Sequence, residues 1–330
     1  MLRTLKELNK ARQLAETGQH AAVVTVLATR PRDELEDSPT MALFYGTAHA
    51  RLGRTDVAER WVELALSRSR ERADRAIETR ALNVRGVIAL FGGRIDEASK
   101  YLTEALALAK REGDHAAIAR CCNNLGIISS LRGEYAHAIG SYTMAIAAFQ
   151  QVGLKGGRAE AQHNLGITYR DSGDLDKALE EADRAVVEAR DSGDRSLVGQ
   201  TLAGRAEIRL LLGDVRAALR EIELALEIHR ELSDDVQEAQ DLRILGNVLA
   251  ANSDHDGAEH TLRDVIKRAE SLDRPLLAAM ASRDLAHLLR GIRLETEAME
   301  LARQARARFT RLGAQAELRK LDEVFYADRT

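Results

Sequence analysis

The chain has 330 residues, 45% hydrophobic and 30% charged, a balance that supports a folded core in water and excludes wholesale disorder. Lys and Arg number 48 against 52 Asp and Glu, a formal charge of -4, which excludes a net-basic nucleic-acid binder while leaving room for a local basic stripe. Only three prolines, Pro31, Pro39 and Pro275, stand among abundant Ala, Leu, Arg and Glu, so the fold is predicted to be all-α, with a core of small and aliphatic side chains because aromatics make up 4%.

Taken in chain order, a small residue recurs at Gly46, Gly86, Gly126, Gly166, Ala206, Gly246 and Ala286, every 40 residues, with Ala11 a shorter step ahead. Twelve residues beyond each stand Val23, Ala58, Ala98, Ala138, Ala178, Ala218, Ala258 and Ala298. Nineteen beyond stand Ala65, Ala105, Ala145, Ala185, Ala225, Val265 and Ala305, with Arg30 breaking the row in the first unit. A turn row holds Gly18, Gly53, Gly93, Gly133, Gly173 and Gly213, then gives way to Ser253 and Arg293.

These rows predict eight units over 1–34, 35–74, 75–114, 115–154, 155–194, 195–234, 235–274 and 275–313. Each is two helices, A and B, of about 16–18 residues joined by a short turn. The turn glycine accepts the left-handed conformation that ends helix A, and Asp174 and Asp214 are placed to cap helix B. Gly113, Gly153, Gly193, Ser233, Asp273 and Gly313 mark the turns between units, Pro31 and Pro39 fall in the first such connection, and Pro275 opens the last helix A. Residues 314–327 predict one extra amphipathic helix that covers the open end of the last unit, and no linker breaks the period, so 1–330 reads as a single domain. Leu285, Leu288, Leu289 and Ile292 are either core or, if that helix leaves them bare, an edge for self-association.

No nucleotide-binding glycine loop, nucleophile elbow or HExxH is present, and His255 and His260 are five apart with nothing to complete a zinc set. An enzyme, a cofactor and a metal are therefore not expected. The adjacent Cys121 and Cys122 point about 100° apart on a helix, so they read as buried thiols in a reducing compartment. Gly153, Gly156 and Gly157 around Lys155 read as a turn, with an anion nest as the alternative. The opening MLRTLKELNK has no apolar run and no 18-residue apolar stretch follows, so a cytoplasmic chain without a membrane span is expected.

The stretch Asn164-Leu165-Gly166-Ile167-Thr168-Tyr169, followed by Gly173-Asp174-Leu175, Ala178 and Ala185, resembles the tetratricopeptide repeat family. Asn124-Leu125-Gly126 with Gly133, Ala138, Tyr142 and Ala145 matches nearly as well, although the unit is 40 residues long and lacks the usual inter-repeat proline. The resemblance spans about residues 1–312 and implies a right-handed α-solenoid whose helix A residues line a concave groove. Inward-facing positions carried over from the family are Arg80, Asn83, Val87, Arg120, Asn123, Asn124, Ile127, His163, Asn164, Ile167, Arg170, Arg243, Asn247, Arg283, His287 and Arg290. Asparagine both donates and accepts, so such a ladder suits an extended peptide backbone, and the arginines suit carboxylates on an acidic partner. The expected function is a non-catalytic scaffold for a peptide or helical segment of another protein, without nucleic acid or membrane. The alternative is a peptide- or ligand-responsive regulatory sensor acting through a partner, as in the bacterial regulators that the long repeat resembles. The competing reading of the site is that the asparagines bond each other and the arginines pair with the chain's own acids.

Overall fold

The computed structural model describes residues 2–16 and 19–326, so Gly18 of the turn row and Ala327 of the last predicted helix lie outside the described residues. Among them are eighteen helices and no strand. They are α1 (Leu2–Glu16), α2 (His20–Ala28), α3 (Arg32–Asp37), α4 (Pro39–Arg51), α5 (Thr55–Glu71), α6 (Arg75–Phe91), α7 (Ile95–Glu112), α8 (His115–Arg132) and α9 (Tyr135–Gln151). They continue as α10 (Lys155–Asp171), α11 (Leu175–Ser192), α12 (Arg195–Leu211), α13 (Val215–Glu231), α14 (Asp235–Ala251), α15 (His255–Ser271), α16 (Pro275–Gly291), α17 (Glu295–Leu312) and α18 (Gln315–Phe325).

The chain forms two compact units, Met1–Leu125 and Gly126–Thr330, with α8 running through the boundary. In the first, α4 packs on α5, α5 on α6 and α6 on α7. In the second, α10 to α17 stack in sequence, and the A helices α10, α12, α14 and α16 touch one another in turn.

The small rows are where the helices meet. Ala58, Ala98, Ala138, Ala178, Ala218, Ala258 and Ala298 are all 0% exposed, and so is every residue of the row seven positions on. At Gly166 an added Cβ would lie 3.2 Å from the Ala178 carbonyl oxygen, so the backbones of α10 and α11 touch with no side chain between them. At Gly126 the neighbour is the Tyr142 ring.

Every turn from Gly53 to Gly313 contains one residue of positive φ, whether or not it is glycine. Ala73, Ser233, Ser253, Asp273 and Arg293 adopt φ of 52–67°, as the glycines do at neighbouring turns. The hairpin geometry therefore sets this conformation, and five positions hold it with a Cβ. The next helix is capped by aspartate where the sequence supplies one. Asp174 accepts from the Lys177 N–H and Asp214 from the Ala217 N–H, as expected, and Asp74, Asp114, Asp194, Asp234 and Asp254 do the same.

The first unit departs from the regular pattern. Its opening pair is shorter, and the connection carrying Pro31 and Pro39 contains α3. Pro39 opens α4, and the Ser38 hydroxyl accepts from the Met41 N–H at 3.3 Å. Arg30, which broke the alanine row, pairs with Glu7 at 3.0 Å. Cys121 and Cys122 are buried and unpaired. Gly156 and Gly157 lie in the first turn of α10, where Gly157 makes room for the Phe149 ring, and Lys155 pairs with Asp191 at 3.6 Å; the stretch serves packing. Leu285, Leu288 and Leu289 are core beneath α17 and α18.

Candidate functional site

In the first unit, α6 and α8 present Arg80, Asn83 and Val87 beside Arg120, Asn123 and Asn124. The Asn124 amide donates to Asn83 Oδ1 at 3.1 Å, and the Cys121 thiol points at the same oxygen at 3.7 Å. Asn83, Asn124 and Val87 stay half-buried, whereas Asn123 is 3% exposed and faces into the helix packing. Arg80 lies over the Phe44 ring, 5.4 Å from its centroid. It keeps solvent contact but is crowded. Desolvation first, then Arg120 and Arg12, hold its pKa below the usual arginine value, only partly offset by Asp114 and Asp74. Among the described residues no ion pair neutralises Arg12, Arg80 or Arg120.

The second unit is built differently. Ile127 packs against Ala138, Tyr142 and Leu165. Asn164 and Ile167 are half-buried on α10, and His163 sits against Gly204 of α12. Burial, reinforced by Arg170, lowers the His163 pKa to about 4. Arg170, Arg243 and Arg283 join a closed ring of alternating charge. Arg170 pairs with Glu207, which pairs with Arg243 at 2.8 Å. Arg243 pairs with Asp284 at 2.6 Å, Asp284 with Arg283 at 2.7 Å, and Arg283 with Glu317. Glu317 pairs with Lys320 at 2.9 Å, Lys320 with Asp171 at 3.1 Å, and Asp171 with Arg170 at 2.8 Å, closing the ring. Asn247 adds a bond to Asp284 at 2.9 Å.

Burial alone would push the Glu207 carboxyl up, but Arg170 and Arg243 outweigh it and hold it at about 2. The acids Glu207, Asp284, Asp171 and Glu317 and the cation Lys320 are absent from the sequence-based site. Glu207 and Asp284 stand in the inward columns, one repeat away from the arginines they meet, which is a usable signal. Glu317 and Lys320 come from α18, whose position no register announces.

α18 also covers the end of the expected site. His287 meets the Phe325 ring edge-to-face at 5.3 Å, Arg290 lies over the same ring at 5.3 Å, and Arg290 donates to the Val324 carbonyl. Arg80 and Arg120 of the first unit thus make no ion pair among the described residues, whereas Arg170, Arg243 and Arg283 of the second are matched by the chain's own carboxylates. Among the described residues no cluster of three His, Cys, Asp or Glu could hold a metal ion, and no helix is long and apolar enough to cross a membrane.

The tetratricopeptide repeat model matches residues 37–111, 80–151 and 123–187. No curated protein matches the chain in sequence. Among solved structures, a Rap protein complexed with competence and sporulation factor is 14% identical over 100% of both chains, with a TM-score of 0.66. The apo form of the quorum sensor NprR from B. thuringiensis is 13% identical over 98% of both chains, with a TM-score of 0.54. A signal transduction ATPase with a tetratricopeptide repeat sensor from Pyrococcus horikoshii is 15% identical over 98% of this chain and 49% of that one, with a TM-score of 0.59. These three likenesses are of fold. The tetratricopeptide repeat is thus matched over residues 37–187, and helical pairs of the same kind continue from there as far as α17.

Proposed function

We propose that the chain is a non-catalytic scaffold that binds a peptide or helical segment of a partner protein, and that the helix A face of the first unit holds an acidic part of it. The observation that carries this reading is that Arg80 and Arg120, in one register of successive A helices, make no ion pair among the described residues, Asp114 and Asp74 offsetting only part of the crowding at Arg80. Crowded like charges without counter-ions gain from an incoming carboxylate. The Asn83–Asn124 pair beside them offers a donor and an acceptor, and Val87 an apolar spot. The buried thiols fit a reducing cytoplasm.

The test is capture from native lysate by wild type and by an Arg80→Ala/Arg120→Ala/Asn124→Ala variant, each first shown to melt alike. A protein held by wild type and lost by the variant supports the face; equal recovery removes it. A second reading, a regulatory sensor whose shape responds to a peptide, is favoured by the fold shared with a Rap protein bound to competence and sporulation factor and with the quorum sensor NprR. Small-angle scattering with and without the captured partner's binding segment separates the two: a change in radius of gyration supports sensing, and none supports passive docking.

A further inference from the structure

The inner face of the second unit holds a helix from the chain itself. α18 meets segments far away in sequence. Leu321 and Phe325 enter the core formed with Leu288, Leu289 and Phe309. On the other side Glu317 pairs with Arg283 of α16, and Lys320 pairs with Asp171 at the end of α10. Arg319 donates to the Arg132 carbonyl at the end of α8, at 3.0 Å, over the bare backbone of Gly133.

α18 is poorly equipped to stand alone. It has eleven residues, fewer than the roughly 12–15 an isolated helix needs in water. Its N-cap is Ala314, which makes no side-chain bond, where α11 to α15 each begin on an aspartate that does. Its order therefore comes from the surface beneath it. Lifting it away would deprive Arg283 of a carboxylate, Asp171 of an ammonium, and His287 and Arg290 of the Phe325 ring. What that surface asks of any occupant is consequently specific.

We propose that this surface is an interaction site for an amphipathic helix of a partner protein that carries a carboxylate, a cation one turn after it and an aromatic residue two turns after it, and that α18 is its resident occupant, displaced when the partner binds. The Gly313–Ala314 connection keeps α18 at high effective concentration, so displacement requires a partner that matches the pattern or a break in the ion pairs. The proposal concerns other residues than the Arg80–Arg120 face and stands or falls separately from it.

The probe is a fluorescein-labelled peptide of residues 314–326, added to the full-length chain as wild type and as Lys320→Glu, with hydrogen exchange followed in both. In Lys320→Glu, α18 should exchange at least tenfold faster while α16 and α17 keep their protection, and the peptide should bind at least tenfold tighter than to wild type. The same peptide with Glu317→Gln should bind more weakly. Lys320→Gln, which adds no like charge beside Asp171, should shift both readings in the same direction by less. Three results overturn the proposal: α16, α17 and α18 losing protection together, α18 keeping wild-type protection in both variants, or an open α18 with no peptide bound.

Discussion

In the first unit Arg80 and Arg120 of α6 and α8 make no ion pair among the described residues, while in the second Arg170, Arg243 and Arg283 each hold two carboxylates. The residue type and the scaffold are the same. What differs is that Glu207 and Asp284 stand within ion-pair distance of the arginines of the second unit. A guanidinium matched in this way belongs to the structure, and its charge is not on offer to a ligand. One left unmatched is crowded by its own kind and gains when an anion arrives. In a stacked-repeat protein, a basic column in the sequence thus has to be read together with the acids of its neighbouring repeats.

The sharpest way to break this contrast is Glu207→Gln. It takes from Arg170 and Arg243 the carboxylate they share, and each keeps one other, so the loss should be about 3 kcal/mol in urea unfolding, the low end for a buried pair. Arg120→Gln should stay within about 0.5 kcal/mol of wild type. Equal losses would make both faces structural.

Two histidines of the second unit then give opposite pH signatures. The unfolded chain protonates His163 below about 6.5, the folded chain only below about 4. Stability should therefore fall by about 3 kcal/mol as pH drops across that window, and His163→Gln should flatten the fall. His229 donates Nε2–H to the Ser196 carbonyl at 3.1 Å, and its Nδ1 lies in hydrogen-bond contact with Asp241 Oδ2 at 2.6 Å, both side chains buried. Desolvation opposes charge on His229, but Asp241 outweighs it and raises the pKa. That stabilisation is complete below about pH 6.5 and is lost as pH rises through the higher folded value, a loss that His229→Gln should abolish in denaturant titrations.

The close contacts sharpen the comparison further. A Cβ on Gly126 would meet the Tyr142 ring at 2.7 Å, and one on Gly86 the Leu102 side chain at 2.6 Å. A buried ring has fewer ways to yield than a leucine, so Gly126→Ala should lose about 2 kcal/mol and Gly86→Ala about 1, read from thermal melts. The smallest effect should not distinguish the units at all. Ala73→Gly in the first and Arg293→Gly in the second relieve the same positive φ and should each stabilise by about 0.5 kcal/mol.

The repeat was legible because close helix contact leaves no choice of residue. Ala58, Ala98 and their row are small since the opposing helix occupies the space a larger side chain would need. The turn at Ala73 was not legible, because its backbone is dictated by the hairpin and the residue merely endures it. α3 is too short for a periodic pattern. The ion pairs that join A helices in the ring span up to 41 positions and Lys320–Asp171 spans far more, so only the stacking brings these columns together. For α18 the sequence shows an amphipathic helix but no address for its polar side, so Glu317 and Lys320 do not enter the expected site.

The two thiols have a practical consequence. Burial, with Cys122 alongside, pushes the Cys121 thiol up to about 12, and burial raises that of Cys122 as well. Thiolate is the form that reacts with maleimides, so the native chain is close to silent toward them at neutral pH. A single cysteine placed at exposed Arg319 or Val187 becomes the one position that takes a dye or spin label. The molecule comes already prepared for site-directed spectroscopy, and movements of its last helix can be followed without first stripping out a reactive background.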